Sequence, residues 1–229
     1  MNESTKSIIV VAAGSGTRMG GGIPKQLQLL NGIPVAVHAG LRFLEVYPTA
    51  ELIMVISKTS VEVWETLKSQ YFKDKNCKLV EGGNTRYQSV QNGLGMVSEG
   101  QKWVAIHDGA RPFISAKLIR HAFDQAEEFG NAVTAVPAKD SIRRLRPGGS
   151  SEAVKRDEFF YVQTPQIFQF ADMKTVYRQT DNTLYTDDAT VMEMAGHAIQ
   201  LVEGSYDNIK LTTPEDWHLA RLLLEKLKP

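Results

Sequence analysis

One stretch near the start of the chain concentrates groups suited to holding a polyphosphate. Ala12-Ala13-Gly14-Ser15-Gly16-Thr17-Arg18-Met19-Gly20-Gly21-Gly22-Ile23-Pro24-Lys25 follows directly on an apolar run. Glycines after a buried strand let backbone N–H groups approach a phosphate chain closely and point at it. Arg18 and Lys25 add two full positive charges at the mouth of that loop. A triphosphate carries several negative charges, which neutral amides alone would leave poorly compensated. Other readings of the loop fit less well. A dinucleotide turn, G-x-G-x-x-G, needs glycine where Met19 stands, and an acidic residue after the second strand, where the chain has Ser57-Lys58. A Walker loop needs Gly-Lys followed by Ser or Thr, a run this sequence lacks. The bland alternative is an ordinary glycine-rich turn with two solvated cations.

Such a loop must be carried by a rigid frame. Apolar, β-branched runs predict buried strands over 7–13, 51–57, 78–80, 103–107 and 132–136. Helical patterns lie between them over 34–46, 60–71, 85–97 and 115–129. Strands that are continuously apolar belong to a sheet covered on both faces, so the expected class is α/β, with βαβ units and a mostly parallel, Rossmann-like twisted sheet flanked by helices. A last helix is signalled by Thr213 as cap, Pro214 at the first position and Asp216 three residues after the cap. Trp217, Ala220, Leu224 and Leu227 then share one face. From Lys139 to Arg156 the chain is polar and basic around Pro147-Gly148-Gly149, which predicts a protruding β-hairpin. The hairpin is read as an insertion, over 139–161, within a single domain spanning 1–229.

Composition narrows the class without giving a function. Lys plus Arg and Asp plus Glu number 26 each in 229 residues, so no overall field attracts nucleic acid or an acidic membrane. Any anion site must come from local placement of charge. The lone cysteine, Cys77, excludes an intrachain disulfide and reads as a small buried hydrophobe at a strand start. A polar N-terminus and apolar runs too short to span a bilayer lead us to expect a cytoplasmic protein.

Eight motifs in order carry a family resemblance: AAGSGTRM (12–19), PKQ (24–26), GGNTRYQSV (82–90), HDGARP (107–112), KDSI (139–142), QTPQ (163–166), TDDA (186–189) and VEGSYDNIKLTTPED (202–216). From Ser7 to about Leu227 the chain resembles the 2-C-methyl-D-erythritol 4-phosphate cytidylyltransferases of non-mevalonate isoprenoid biosynthesis. The resemblance implies transfer of CMP from CTP to the polyol phosphate with release of pyrophosphate. It also implies a homodimer in which the hairpin of one subunit reaches the other's site. Ribitol 5-phosphate cytidylyltransferases share the CTP half and are the nearest alternative. A non-catalytic nucleotide sensor is the alternative from another class.

In the implied reaction an acceptor phosphate oxygen, already anionic near neutral pH because its second pKa is about 6, attacks the α-phosphorus in line. No activated serine or cysteine is required; the protein must align two like-charged groups and neutralise developing charge. The resemblance assigns that work to Lys25 and Lys210, with Arg18 on the β- and γ-phosphates. Asp108 should lie at the carboxyl end of its strand, where α/β sheets place ligands, as a ribose or Mg²⁺ contact. His107 beside it reads as a structural hydrogen-bonding residue. Mg²⁺ or another divalent cation should be held mostly by triphosphate oxygens and water. Ala12, Ala13, Gly14, Gly16 and Gly109 complete the nucleotide side, and Gly82, Gly83 and Ser89 are small enough to let backbone groups read the cytosine edge. For the acceptor the resemblance implies Arg111, Ser141, Arg156, Thr164, Thr186 and Asp207, with Ser141 and Arg156 contributed by the partner subunit. The family usually has Thr where Ser141 stands and an acidic residue where Lys155 stands.

Overall fold

The computed structural model describes residues 5–14, 23–179 and 185–226. Strand β1 (Lys6–Ala12) is followed by a small ribbon of β2 (Leu29–Leu30) and β3 (Ile33–Pro34), then helix α1 (Val35–Val46). β4 (Glu51–Ile56), α2 (Val61–Tyr71), β5 (Cys77–Glu81), α3 (Arg86–Gly95), β6 (Trp103–Asp108), α4 (Ala116–Phe129) and β7 (Asn131–Pro137) continue the alternation the apolar runs predict. The second half contains β8 (Arg143–Leu145), β9 (Ser151–Ala153), β10 (Phe160–Gln169), α5 (Phe170–Gln179), α6 (Asp188–Met194), β11 (Leu201–Glu203) and α7 (Pro214–Lys226).

Seven strands form one sheet in the order β11-β7-β10-β6-β1-β4-β5. All neighbours are parallel except β10, which runs antiparallel to both β6 and β7. Alternate residues of β1 serve the two faces. Ile8, Val10 and Ala12 pack with α1, α4 and Trp64 of α2, whereas Ile9 packs with α3, α5 and α6. This double coverage is why β4 is buried at every position and reads as an apolar run from Leu52 to Ile56 after its one charged residue, Glu51. A third cluster, including Leu30, Val35, Phe113, Leu211, Ala220 and Leu223, seats α7 over the β2–β3 ribbon.

The expected strands and helices form with ends shifted by one or two residues. Ser115 and Thr85 cap α4 and α3 by accepting from Leu118 N and Gln88 N. At α7 the carboxylate of Asp216 reaches back to the backbone N–H groups of Thr212 and Thr213, at 2.6 and 2.8 Å. Leu227 lies outside the described residues. Cys77 is buried, and burial pushes its thiol up to about 12. At the amino ends of the parallel strands the fully buried Glu51 carboxylate accepts from Ser7 Oγ (2.7 Å), Lys78 Nζ (2.6 Å) and Ser98 Oγ (2.6 Å). Burial alone would raise its pKa; these donors outweigh it and lower it.

Strands β2, β3, β10 and β11 and helices α5 and α6 have no counterpart among the elements expected from the sequence, and β10 is the most consequential of them. β10 contains Gln163, Thr164, Pro165 and Gln166, a polar run with a proline that breaks the apolar signature. Its register against β7 shifts between Val162 and Gln166, so the proline sits where ladder pairing is interrupted. The expected hairpin exists: β8 pairs with β9, with Gly148 and Gly149 at φ +87° and +84° in the turn. The hairpin closes where Ala138 N donates to Phe159 O, and Phe160 and Tyr161 already pair in the main sheet. The projecting part therefore ends two residues earlier than 161.

Candidate active site

The parallel register brings the carboxyl ends of β1 and β6 level, with Val11 opposite Asp108. Just beyond β1, Gln26 is buried and its side-chain amide donates to Ala12 O at 2.7 Å and also to Gly14 O. The residue after Lys25 thus stitches the returning loop to the strand end, which fixes where Lys25 begins its short turn over Lys25–Leu27. Gly16 and Arg18 lie outside the described residues. Gly82 follows β5 and meets the same strand end. A Cβ there would fall 2.3 Å from Ala13 Cβ and 2.8 Å from Ser89 Oγ, so no side chain fits. Gly83 is equally tight against Gln88. Gly109 N donates to Val11 O, closing the third wall.

Asp108 gathers the cations. Lys210 Nζ lies 2.7 Å from Oδ2, Arg111 Nε 3.7 Å from Oδ2 and Arg86 Nε 3.6 Å from Oδ1. Burial would push this carboxyl up, but Arg86, Lys210 and Arg111 together hold it well below the usual carboxylate range. It is an anion at any pH near neutrality. Arg86 is anchored from behind by Asp188 Oδ2 at 2.7 Å, and Tyr177 donates to Asp188 Oδ1 at 2.6 Å. Arg86, Asp188 and Gln26 were missed as site residues. All three stand inside quoted motifs, but nothing in spacing says which motif members turn inward.

Two expected site residues have structural partners instead. The Ser89 hydroxyl donates to Thr85 O (2.9 Å) and accepts from Gly83 N (3.1 Å), so it shapes the Gly82-Gly83 loop. The Thr164 hydroxyl is buried, accepting from Asp108 N at 3.0 Å and lying 3.2 Å from His107 Nδ1. Arg111 O, 3.0 Å from His107 Nε2, can only accept, so Nε2 carries the proton and Nδ1 accepts from Thr164. His107 is the structural residue its position suggested. Thr186 and Asp207 are exposed near the surface, and Asp207 N donates to Ser205 Oγ. Ser141 and Arg156 line a cleft of about 400 Å³ on the hairpin with Ile142, Arg143, Ala153, Val154 and Asp157. No residue of the Asp108 cluster lines that cleft.

Burial pushes the His107 imidazole down from 6.5 to about 4, against the opposing pull of the Arg111 carbonyl and Asp108. Above about pH 6.5 it is neutral folded and unfolded. As pH falls from there to 4, the unfolded chain takes up a proton that the native state does not, so stability declines, by roughly 2–3 kcal/mol. Urea unfolding at pH 7 and 4.5 should show this loss, and His107→Gln should flatten it. A wild-type pH dependence no steeper than the variant's removes the assignment.

A doubly wound α/β sheet with cations gathered round its carboxyl-end loops defines a Rossmann-like nucleotidyltransferase. Residues 7–226 match the family model described as 2-C-methyl-D-erythritol 4-phosphate cytidylyltransferase. The chain is 38% identical over 224 residues to the enzyme of that name from Bacillus mycoides, covering 97% of this chain and 99% of that one. It is 39% identical over 229 residues to the one from Clostridium novyi, covering 98% and 99%. Among solved structures, the 4-diphosphocytidyl-2C-methyl-D-erythritol synthase of Anaerococcus prevotii superposes with a TM-score of 0.85 at 28% identity, covering 98% of this chain and all of that one. The chain belongs to the 2-C-methyl-D-erythritol 4-phosphate cytidylyltransferase family. No helix among the described residues is long and apolar enough to cross a membrane.

Proposed function

We propose that this chain transfers CMP from CTP to 2-C-methyl-D-erythritol 4-phosphate, giving 4-diphosphocytidyl-2-C-methyl-D-erythritol and pyrophosphate. An acceptor phosphate oxygen attacks the α-phosphorus, a new P–O bond forms, and the bond to the β-phosphate oxygen breaks with its electron pair leaving on pyrophosphate. The observation that carries this reading is the convergence of Lys210, Arg111 and Arg86 on one buried carboxylate at the strand ends where Gly82 packs closely against Ala13. Fixed cations at a site where anionic charge develops stabilise it without reorganisation.

Lys25 and Lys210 neutralise the α-phosphate as it is attacked, and Arg18 holds the outer phosphates. Ala12, Ala13, Gly14, Gly16 and Gly109 supply the backbone cradle, and Gly82 and Gly83 the cytosine edge, with Ser89 holding that loop in shape. Arg111 is an acceptor-side cation, and Thr186 and Asp207 are assigned to the acceptor side with it by the family resemblance. Among the described residues no group of three or more His, Cys, Asp or Glu could hold a metal. That donor set suits Mg²⁺ or another divalent cation arriving on the triphosphate, with Asp108 as the candidate protein carboxylate.

The acceptor half is completed by a second copy. Ser141 and Arg156 stand exposed on the hairpin, away from their own Asp108 cluster, and Leu145, Phe160 and Tyr161 are 78%, 45% and 51% exposed. Apolar side chains beside a cationic cleft support a homodimer in which the arm, from 139 to 159, serves the neighbour's site. The whole chain then acts as a single domain of the cytoplasm. Pyrophosphate release with CTP, Mg²⁺ and either methylerythritol phosphate or ribitol 5-phosphate tests the reading. Turnover with the first is expected. Turnover with ribitol phosphate alone reassigns the acceptor, and turnover with neither leaves a nucleotide-binding protein.

A further inference from the structure

Lys210 and Arg111 come from segments about a hundred residues apart and meet at Asp108, and Arg111 is held by a second group as well. The segment 204–211 between β11 and α7 has no helix or strand of its own, so something else must give Lys210 a fixed origin. At its centre Asn208 is fully buried. Its side-chain Nδ2 donates to Thr164 O at 2.8 Å, and Gln163 Oε1 lies 3.5 Å away. Its backbone carbonyl accepts from Arg111 Nη1 at 2.7 Å. Two residues on, Lys210 Nζ reaches Asp108, and Leu211 N donates to Ala110 O.

The receiving strand is itself tied to the site. Thr164, whose carbonyl takes the Asn208 amide, uses its hydroxyl to hold Asp108 N. Gln163 clamps the other end of the segment, donating from Nε2 to Ser205 O at 2.8 Å and accepting from Ser205 N at 3.3 Å. Gly204 passes so close that a Cβ would fall 2.6 Å from Gln163 Oε1 and 3.0 Å from Ala135 O. Asn208 Oδ1 and Arg111 Nε are both buried with no hydrogen-bond partner among the described residues. A buried unpaired polar atom is destabilising, so the amide's placement here follows from what its Nδ2 and backbone oxygen hold, not from satisfying the whole group.

We propose that Asn208 is a positioning residue for the cytidylyl transfer, which by its side-chain amide and its backbone carbonyl sets both Lys210 and Arg111 against Asp108. Gln163 is the strand-side half of the same clamp. Asn208 touches neither substrate nor the reacting phosphorus; it fixes the distance between two cations that do. The proposal rests on the reaction proposed above, and the wild-type assay separates the two: without wild-type turnover the reaction fails, and with it only the clamp is in question.

The test is a double-mutant cycle on the full chain, measured with CTP, Mg²⁺ and methylerythritol phosphate. Asn208→Ala should lower kcat by about a hundredfold, the scale for a roughly 1 Å misplacement of a catalytic group, with KM for CTP changing much less. In a Lys210→Ala background the same substitution should lower kcat by under about tenfold, because residues that act as a unit are non-additive. A purely structural role would reduce the active fraction alike in both backgrounds, and equal losses overturn the proposal, as does unchanged kcat in the single variant. Should Asn208→Ala fail to fold, Gln163→Met, which keeps the side chain's length and adds no charge while removing the amide's bonds to Ser205, replaces it in the same cycle. It is expected to give a smaller kcat loss that again shrinks when Lys210 is absent; additive losses count against the clamp.

Discussion

Replacing Lys25 by alanine should lower kcat/KM by at least about a hundredfold, or about 3 kcal/mol, the scale for losing one preorganised charge contact to a transition state. The expectation has two grounds. The reaction develops charge on phosphoryl oxygens, which only fixed cations can quench without prior reorganisation. Lys25 is also held by an unusual anchor: the adjacent Gln26 bonds both Ala12 O and Gly14 O at the end of β1. A lysine that merely decorated the surface would not need its neighbour buried against two strand-end carbonyls. Steady-state rates with both substrates check the value, and a drop of under tenfold takes Lys25 out of the mechanism. The same variant also tests the arm. Arg156→Ala should be similarly defective, because it removes one of the acceptor-side cations from the neighbour's site. Mixed subunits should then recover activity that neither variant has alone, since both lesions can fall in one site and leave the other whole. Absence of any recovery in mixed dimers, verified by mass, would place Arg156 in its own subunit's site or outside the reaction.

Asp108→Asn should damage stability and activity together. The substitution keeps shape but removes the charge that Lys210, Arg111 and Arg86 share. Breaking a buried ion pair by removing one partner costs about 3–5 kcal/mol, because the remaining charge is left buried and uncompensated. Here Arg86 keeps Asp188 at 2.7 Å, and Lys210 is 40% exposed along its side chain and can turn to water. The loss should therefore fall near the lower end, about 3 kcal/mol in urea unfolding at pH 7. Lowering the pH should narrow the gap between variant and wild type only when the wild-type carboxyl itself protonates, far below neutrality, because its cations depress it. A variant as stable as wild type would show that the three cations do not depend on Asp108. Lys210→Ala offers the contrast: it removes an exposed partner, so activity should fall with little loss of stability.

The resemblance and the structure meet most closely where a motif borders a strand end. HDGARP continues a strand read from its apolar run, so Asp108 could be expected at the carboxyl edge of the sheet, and there it stands. The glycine pair at 82–83 is read as letting backbone groups approach a base, and the structure shows that a Cβ at either position would strike Ala13, Ser89 or Gln88. Ser89 and Thr164 show the limit of reading a hydroxyl from a motif. Both were expected to face substrate, and both satisfy backbone or imidazole partners. A motif records that a residue type is needed at a position; it does not record which neighbour needs it.

Local order was written along the chain. Unbroken apolar strands, caps at Thr85 and Ser115, and glycines at the tight turn of the hairpin act between residues a few positions apart, so their period and chemistry can be read directly. The antiparallel β10, the convergence of Arg86 and Tyr177 on Asp188, and the tie from Asn208 to Thr164 and Arg111 were decided only in three dimensions. Their partners lie 11 to 102 positions apart, and a buried polar group takes whichever partner the packed layers bring to it. Unpaired polar atoms are too destabilising inside a core to leave that choice to the local chain.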